Sequence, residues 1–208
     1  KDIWDTNRDS LLTDAKDITK KLIDNQNQLS SNQTLRDDIL ERSFNYYLKR
    51  YDNQFGGFGD PPKFPKPHDY MFLSRYYAKT NNQKALDMVE FSLQKMREGG
   101  IYDQIGYGFH RYATDSKWLI PHFEKMLYDQ AMLIHAYLDA YLVTKDQFYQ
   151  RVVNEIISYV VRDMRLENGG FYSAEDADSQ GEEGVFYVWK IDEIYKLLNT
   201  EDAELIID

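Results

Sequence analysis

Apolar residues recur at three- and four-residue steps along most of the chain, the period of helices that each bury one face. Leu11, Ala15, Ile18 and Leu22 predict a first helix over about 9–25. Thr34 followed by Asp37 has the form of a capping box, with Asp in the place of the usual Glu or Gln. It opens a second helix through Leu40, Phe44, Tyr47 and Tyr51. A third is predicted over about 69–79 (Leu73, Tyr76, Tyr77), and a fourth over 83–97 (Ala85, Val89, Ser92, Met96). A fifth starts after Pro121 and carries Phe123, Leu127, Gln130, Ile134, Leu138 and Tyr141. A sixth runs over 147–165 through Phe148, Val152, Ile156 and Tyr159, a seventh begins near Ile191, and Thr200 caps an eighth. Only residues 185–189, Val-Phe-Tyr-Val-Trp, read as extended, in the form of a hairpin arm. The expected class is all-α.

Short links around Ser30, Asn81 and Lys145 alternate with long ones over about 52–68, 99–120 and 166–190. Short links make antiparallel hairpins, so every long loop should emerge at the same end of the bundle. Each long loop holds a glycine–aromatic cluster: Phe55-Gly56-Gly57-Phe58, Gly99-Gly100-Ile101-Tyr102 and Gly169-Gly170-Phe171-Tyr172. The steps from Gly57 to Gly100 to Gly170 are 43 and 70 residues, too uneven for a solenoid. Helical hairpins with glycine pairs at one end fit an α/α toroid, an arrangement of hairpins around an axis. The bland role of each pair is a left-handed helix stop.

Composition narrows the function. Aromatic residues make up 15% of the 208 residues, ample for a core, and the formal net charge is −10. An acidic chain lacks the basic face that nucleic acids and anionic membranes require. There is no cysteine, which excludes disulfides, thiol nucleophiles and cysteine zinc sites. The chain begins at Lys1 and stops at Asp208 within a helical pattern, as a fragment of a longer protein would. Apolar helix faces left open by truncation would favour self-association.

The densest chemistry lies in Gly106–Tyr112 followed by Asp115, Trp118 and 121–130. His110, Arg111 and His122 there sit among aromatic rings and carboxylates. Histidine suits proton transfer near neutral pH, and rings beside Arg and Asp suit a polyol. Each residue also has a structural reading. His122 neighbours a helix start, Lys125 and Asp129 form an i,i+4 pair, Arg111 pairs with Asp103 or Asp115, and His135 packs in the core. Other motifs fail. His122-Phe123-Glu124 lacks the cysteine half of a zinc deaminase. The acidic run from Asp176 has Tyr187 where a calcium loop needs Glu. No phosphate-binding glycine fingerprint is present, and no residue is assigned to a metal or cofactor.

Three strings together carry a family resemblance: PPKFPKP (61–67), YDQIGYGFHRYATDSKWLIPHFEKMLYDQA (102–131) and GGFYSAEDADSQGEEGVFYVW (169–189). The chain resembles the thioredoxin-domain-containing YyaL-like family, which includes animal spermatogenesis-associated homologues. That resemblance implies an α/α toroid related to six-hairpin glycosidases and N-acylglucosamine 2-epimerases, preceded by a thioredoxin-like domain that this chain lacks. About seven helices stand where a complete toroid has twelve. It also implies a sugar-type cavity and a carbohydrate-active domain, an epimerase, isomerase or glycosidase. His110 and His122 would be the acid/base pair and Arg111 would bind substrate, with Tyr107 and Trp118 stacking on it. Asp115, Glu124, Asp176 and Asp178 are the acidic candidates. The alternatives are a non-catalytic glycan- or protein-binding module serving the thioredoxin-like domain, and a purely structural role for the long motif. The expected compartment is the cytoplasm.

Overall fold

The computed structural model describes residues 2–29 and 36–207. The chain divides into two compact units, Lys1–Ile39 and Leu40–Asp208. The first holds α1 (Asp2–Thr6) and α2 (Arg8–Leu29), the latter being the first helix predicted. The predicted link at Ser30 and the Thr34 cap lie outside the described residues.

The second unit holds all of α3 (Ile39–Arg50) but its first residue, and continues with α4 (Pro67–Thr80) and α5 (Gln83–Glu98). Next come α6 (Leu127–Thr144) and α7 (Gln147–Tyr159), the latter running into a π-helical turn at Val160–Met164. The last elements are α8 (Ile191–Leu197) and α9 (Thr200–Ile207). Two hairpins close through left-handed residues, Asn81 and Lys145, whose N–H groups donate to Tyr77 O and Tyr141 O. Such a residue reverses the chain in one step and satisfies an orphan carbonyl. α4 packs on α5 and α6, and α6 packs on α7. Leu73, Met88, Leu93, Leu133, Tyr137 and Ile156 lie wholly buried between them.

Among the described residues the strands are two residues long. β1 (Tyr112–Ala113) pairs with β2 (Pro121–His122), and β3 (Lys125–Met126) with β4 (Ala174–Glu175). β5 (Asp178–Ser179) pairs with β6 (Glu182–Glu183). These pairs correct two sequence expectations. The fifth helix starts at Leu127, because residues 121–126 are extended and held by other loops: Arg111 N donates to Glu124 O and Leu127 N to Ser173 O. Residues 184–187 are a turn, with Tyr187 N and Val188 N both donating to Gly184 O.

The long loops repeat, in a register the glycine pairs concealed. Tyr51–Phe58 and Tyr102–Phe109 are the same eight-residue turn, each closed by a bridge between its end residues. The aspartate N–H donates to the next-to-last glycine, Asp52 to Gly57 O and Asp103 to Gly108 O, each at 3.0 Å. One carboxylate oxygen accepts two turn amides, those of Gln54 and Phe55 in the first and of Ile105 and Gly106 in the second. The other takes a buried lysine: Lys63 Nζ lies 2.6 Å from Asp52, and Lys125 Nζ 2.7 Å from Asp103. Each ammonium also reaches a carbonyl, Ser116 O or Tyr107 O, and faces a ring, Trp118 or Tyr159. Burial alone would raise both carboxyls, but the lysine bonds and turn amides outweigh it and hold them below the usual range.

Each lysine also ties its own loop to the next, Lys63 through the backbone of Ala113 and Lys125 through that of Glu175. The three loops therefore share one face, as the alternation of links predicts. The third turn, Arg165–Phe171, is a residue shorter and has Leu166 at the aspartate position. The equivalent glycines are thus Gly57, Gly108 and Gly170. At Gly57 and Gly108 φ is +81° and +80°, and a Cβ would lie 2.5 Å from Trp118 and Tyr159 respectively. Gly99 is not a left-handed stop, since its φ is −79°. It and Gly100 instead leave room for the Trp118 and Leu119 carbonyls, 2.4 and 2.1 Å from where Cβ atoms would stand.

Lys125→Met leaves Asp103 buried without its cation and is expected to cost about 3–5 kcal/mol in urea unfolding. Adding Asp103→Asn, which keeps the turn acceptor but drops the charge, should recover most of that loss.

Candidate functional site

The second and third long loops converge on His122, which β2 holds in extended backbone against β1. The Tyr112 ring of β1 stacks on the imidazole, centroids 4.9 Å apart and 21° from parallel. Nδ1 is 2.6 Å from Glu183 Oε1, and Nε2 is 3.7 Å from Glu124 Oε2. Glu183 also accepts from Phe123 N, so one carboxylate fixes both the ring and the backbone beside it. β5 and β6 bring Glu183 there, and Gly184 next to it is required: φ is +77° and a Cβ would meet the Phe123 ring at 2.5 Å.

Arg111 NH1 donates to Glu124 Oε2 at 2.7 Å, while its backbone N–H donates to Glu124 O. Its guanidinium side chain remains 39% exposed and can meet a ligand. The pairing is with Glu124 rather than with Asp103 or Asp115. Asp129, in the first turn of α6, lies within the electrostatic reach of Arg111 and Glu124. Arg111, His122, Glu124, Asp129 and Glu183 thus form one mixed-charge cluster on the loop face.

Other predicted site residues sit elsewhere in the packing. His110 is 2% exposed, with Nδ1 3.0 Å from Phe123 O and the rings of Phe123 and Tyr187 edge-on to it. A carbonyl only accepts, so Nδ1 carries the proton. Burial, and next to it the Lys125 charge, push the imidazole down to about 4. Trp118 is fully buried and donates from Nε1 to Phe55 O, so its ring anchors the first loop and has no face for a ligand. Asp115 accepts from the N–H groups of Lys117, Leu119 and Ile120 and closes its own turn. Tyr107 is half-buried against the core, and its carbonyl receives Lys125. Asp176 and Asp178 are exposed; Asp176 accepts from Asp178 N. His135 is exposed on α6 and is not a core histidine. Lys125 bonds Asp103, not Asp129. No group of three or more metal-ligating side chains occurs among the described residues.

Sequence reasoning missed Glu183, Tyr112 and Asp129 as site members, and Lys63 and Lys125 as loop anchors. Glu183 lies 61 residues from His122, with no local pattern to mark it. The anchors did have a signal, the Tyr-Asp turn recurring 51 residues apart at Tyr51 and Tyr102.

The arrangement is an α/α toroid of helical hairpins whose loops gather on one face, and solved structures that resemble it include sugar epimerases. A sugar epimerase from a ruminal bacterium superposes with a TM-score of 0.58 at 17% identity, over 78% of this chain and 49% of its own. Cellobiose 2-epimerase from Spirochaeta thermophila gives 0.60 at 17% identity, over 67% and 37%. The enzyme of the same name from Bacillus thermoamylovorans gives 0.59 at 15% identity, over 72% and 44%. At such identities the likeness is one of fold.

In sequence the chain is homologous to spermatogenesis-associated protein 20. It is 39% identical to the human protein over 94% of this chain, and 39% identical to the mouse protein over 95%. It spans 26% and 27% of the length of those relatives. No family model matches the sequence. No described helix is long and apolar enough to cross a membrane.

His110 supplies a test of this geometry. Folded, it takes up a proton only near pH 4, whereas an unfolded histidine does so near 6.5. The stability gained by keeping it neutral is therefore full above about pH 6.5 and is lost as the pH falls toward about 4. His110→Gln should flatten that segment of the stability–pH curve, measured by urea titration at intervals across it.

Proposed function

We propose that this chain contributes the acid/base and binding edge of a carbohydrate-active toroid domain, of the epimerase or isomerase kind. One observation carries the reading: His122 stands between two carboxylates on the loop face, with an accessible arginine beside it. Glu183 at Nδ1 sets the tautomer, since an acceptor there keeps the proton on Nδ1 and leaves Nε2 as the base. Nε2 takes a proton from the carbon next to a sugar carbonyl, and the electron pair passes into an enediolate whose oxygen the Arg111 guanidinium stabilises. Returned by Nε2 to the neighbouring carbon while the hydroxyl proton passes between the two oxygens, the same proton interconverts an aldose and a ketose; inversion of the first carbon would take a second donor on the opposite face. Tyr112 fixes the imidazole plane, and His110 holds the Phe123 carbonyl that follows His122 in sequence. The histidine pair of the resemblance thus becomes one acid/base group and one positioning group.

The three strings support reading the chain as the toroid portion of a thioredoxin-domain-containing protein. A second reading, a glycan-binding module without turnover, is favoured by the burial of Trp118 and His110. Both are then unavailable to substrate, and Arg111 remains for recognition.

Thermal melts of the full-length protein against free, N-acylated and disaccharide sugars separate these readings. The proposal expects a dose-dependent rise that Arg111→Ala removes. It also expects His122→Gln to keep that rise while lowering turnover about 10²–10⁴-fold. A shift without turnover in the unaltered protein supports the binding module, and no shift with any sugar removes both.

A further inference from the structure

Five buried side-chain polar atoms among the described residues have no hydrogen-bond partner, and two of them belong to ionisable groups in the cluster around His122. These are Arg111 Nε and Asp129 Oδ2, a donor and an acceptor of opposite charge left unpaired in one site. The other three are the hydroxyls of Tyr70, Ser74 and Tyr149. The guanidinium already gives NH1 to Glu124, and Tyr128 acts on it as well. The charged groups facing Asp129 are Arg111, opposite in sign, and Glu124, of the same sign.

A carboxylate oxygen sealed from water with no donor loses its hydration and gains nothing in return, whereas the carbonyl oxygen of a protonated carboxyl tolerates that place far better. Burial and then, against Arg111, the Glu124 charge act in this direction and raise the Asp129 carboxyl to about 6.

We infer that Asp129 is the proton-bearing carboxyl of this site, a neutral acid whose O–H is given to an oxygen of the bound ligand while His122 Nε2 remains the base. The inference rests on the carbohydrate reading for the ligand, whose carbonyl, ring or glycosidic oxygen would be the acceptor. In the transfer the Asp129 O–H bond breaks, a new O–H bond forms on the ligand oxygen, and the electron pair stays on Asp129. The carboxylate that results lies within the electrostatic reach of the Arg111 guanidinium.

Two arms test this on the full-length protein. The first is a carbon-13 titration of aspartate-labelled protein, with the Asp129 resonance assigned by its loss in Asp129→Asn. A midpoint near pH 6 is expected, and one below about 4.5, close to an ordinary aspartate, overturns the inference. Stability gives the same answer by another readout. A carboxyl raised when folded costs stability as pH climbs through that range, so Asp129→Asn should gain melting temperature over the unaltered protein at pH 7.5 relative to pH 4. Equal differences at both pH values overturn it.

The second arm compares sugar binding and turnover. Asp129→Asn should bind within a few-fold of the unaltered protein and turn over at least about 100-fold more slowly, as loss of an acid/base group does. Undiminished turnover overturns the proton transfer. If no sugar binds the unaltered protein, the carbohydrate reading fails, and the titration still decides whether Asp129 holds the proton.

Discussion

Two buried ion pairs hold the functional face together, Lys63 with Asp52 and Lys125 with Asp103. An ammonium sealed from water is tolerable only with its full set of partners, and here each has a carboxylate, a carbonyl and an aromatic face. Burial pushes Lys125 below the usual lysine range even so, with the Asp103 bond opposing it. Because each aspartate also organises its own turn, one pair fixes the shape of a loop and its attachment to the next. Helix packing alone would leave segments as long as 99–126 without a defined path.

The site follows from that attachment. Lys125 pairs in the backbone with Glu175, which places the third loop beside the second, and β5 and β6 then carry Glu183 to His122. Tyr159 donates to Glu175 Oε2 at 2.7 Å, so the end of α7 is tied to the same junction. The cluster of Arg111, His122, Glu124, Asp129 and Glu183 is thus assembled from two loops and a helix start. The charges in the interior fasten the loops, and those on the accessible edge are left for chemistry. That division explains how a stretch as rich in ionisable residues as 102–131 serves both structure and site.

Sequence reasoning distinguished these two roles poorly, for an identifiable reason. His110 and Trp118 lie in the same dense motif as His122 and Arg111 and look equally chemical, yet both are buried. Which of these neighbouring residues faces inward is set by how the loops pack: His110 N donates to Ile101 O and Trp118 Nε1 to Phe55 O, contacts that no local pattern marks. Strands as short as β1 and β2 leave no periodicity to read. The repeated turns were visible in outline but misaligned, because Gly99-Gly100 imitates the pair at Gly56-Gly57 while serving close approach of another loop.

The sequence by itself determined the helices, the antiparallel hairpins at Asn81 and Lys145, the gathering of long loops on one face and, through its three strings, the toroid. These follow from local periodicity and from residues that reverse the chain within a few positions, so neighbours in sequence suffice to specify them. Tertiary structure alone decided that residues 121–126 are extended, that Lys63 and Lys125 are anchors, and that Glu183 and Asp129 join His122 and Arg111. Those outcomes depend on pairings between residues as many as 61 positions apart, as for His122 and Glu183. Charge and solvent access at such positions are properties of the assembled loops, which no single segment carries.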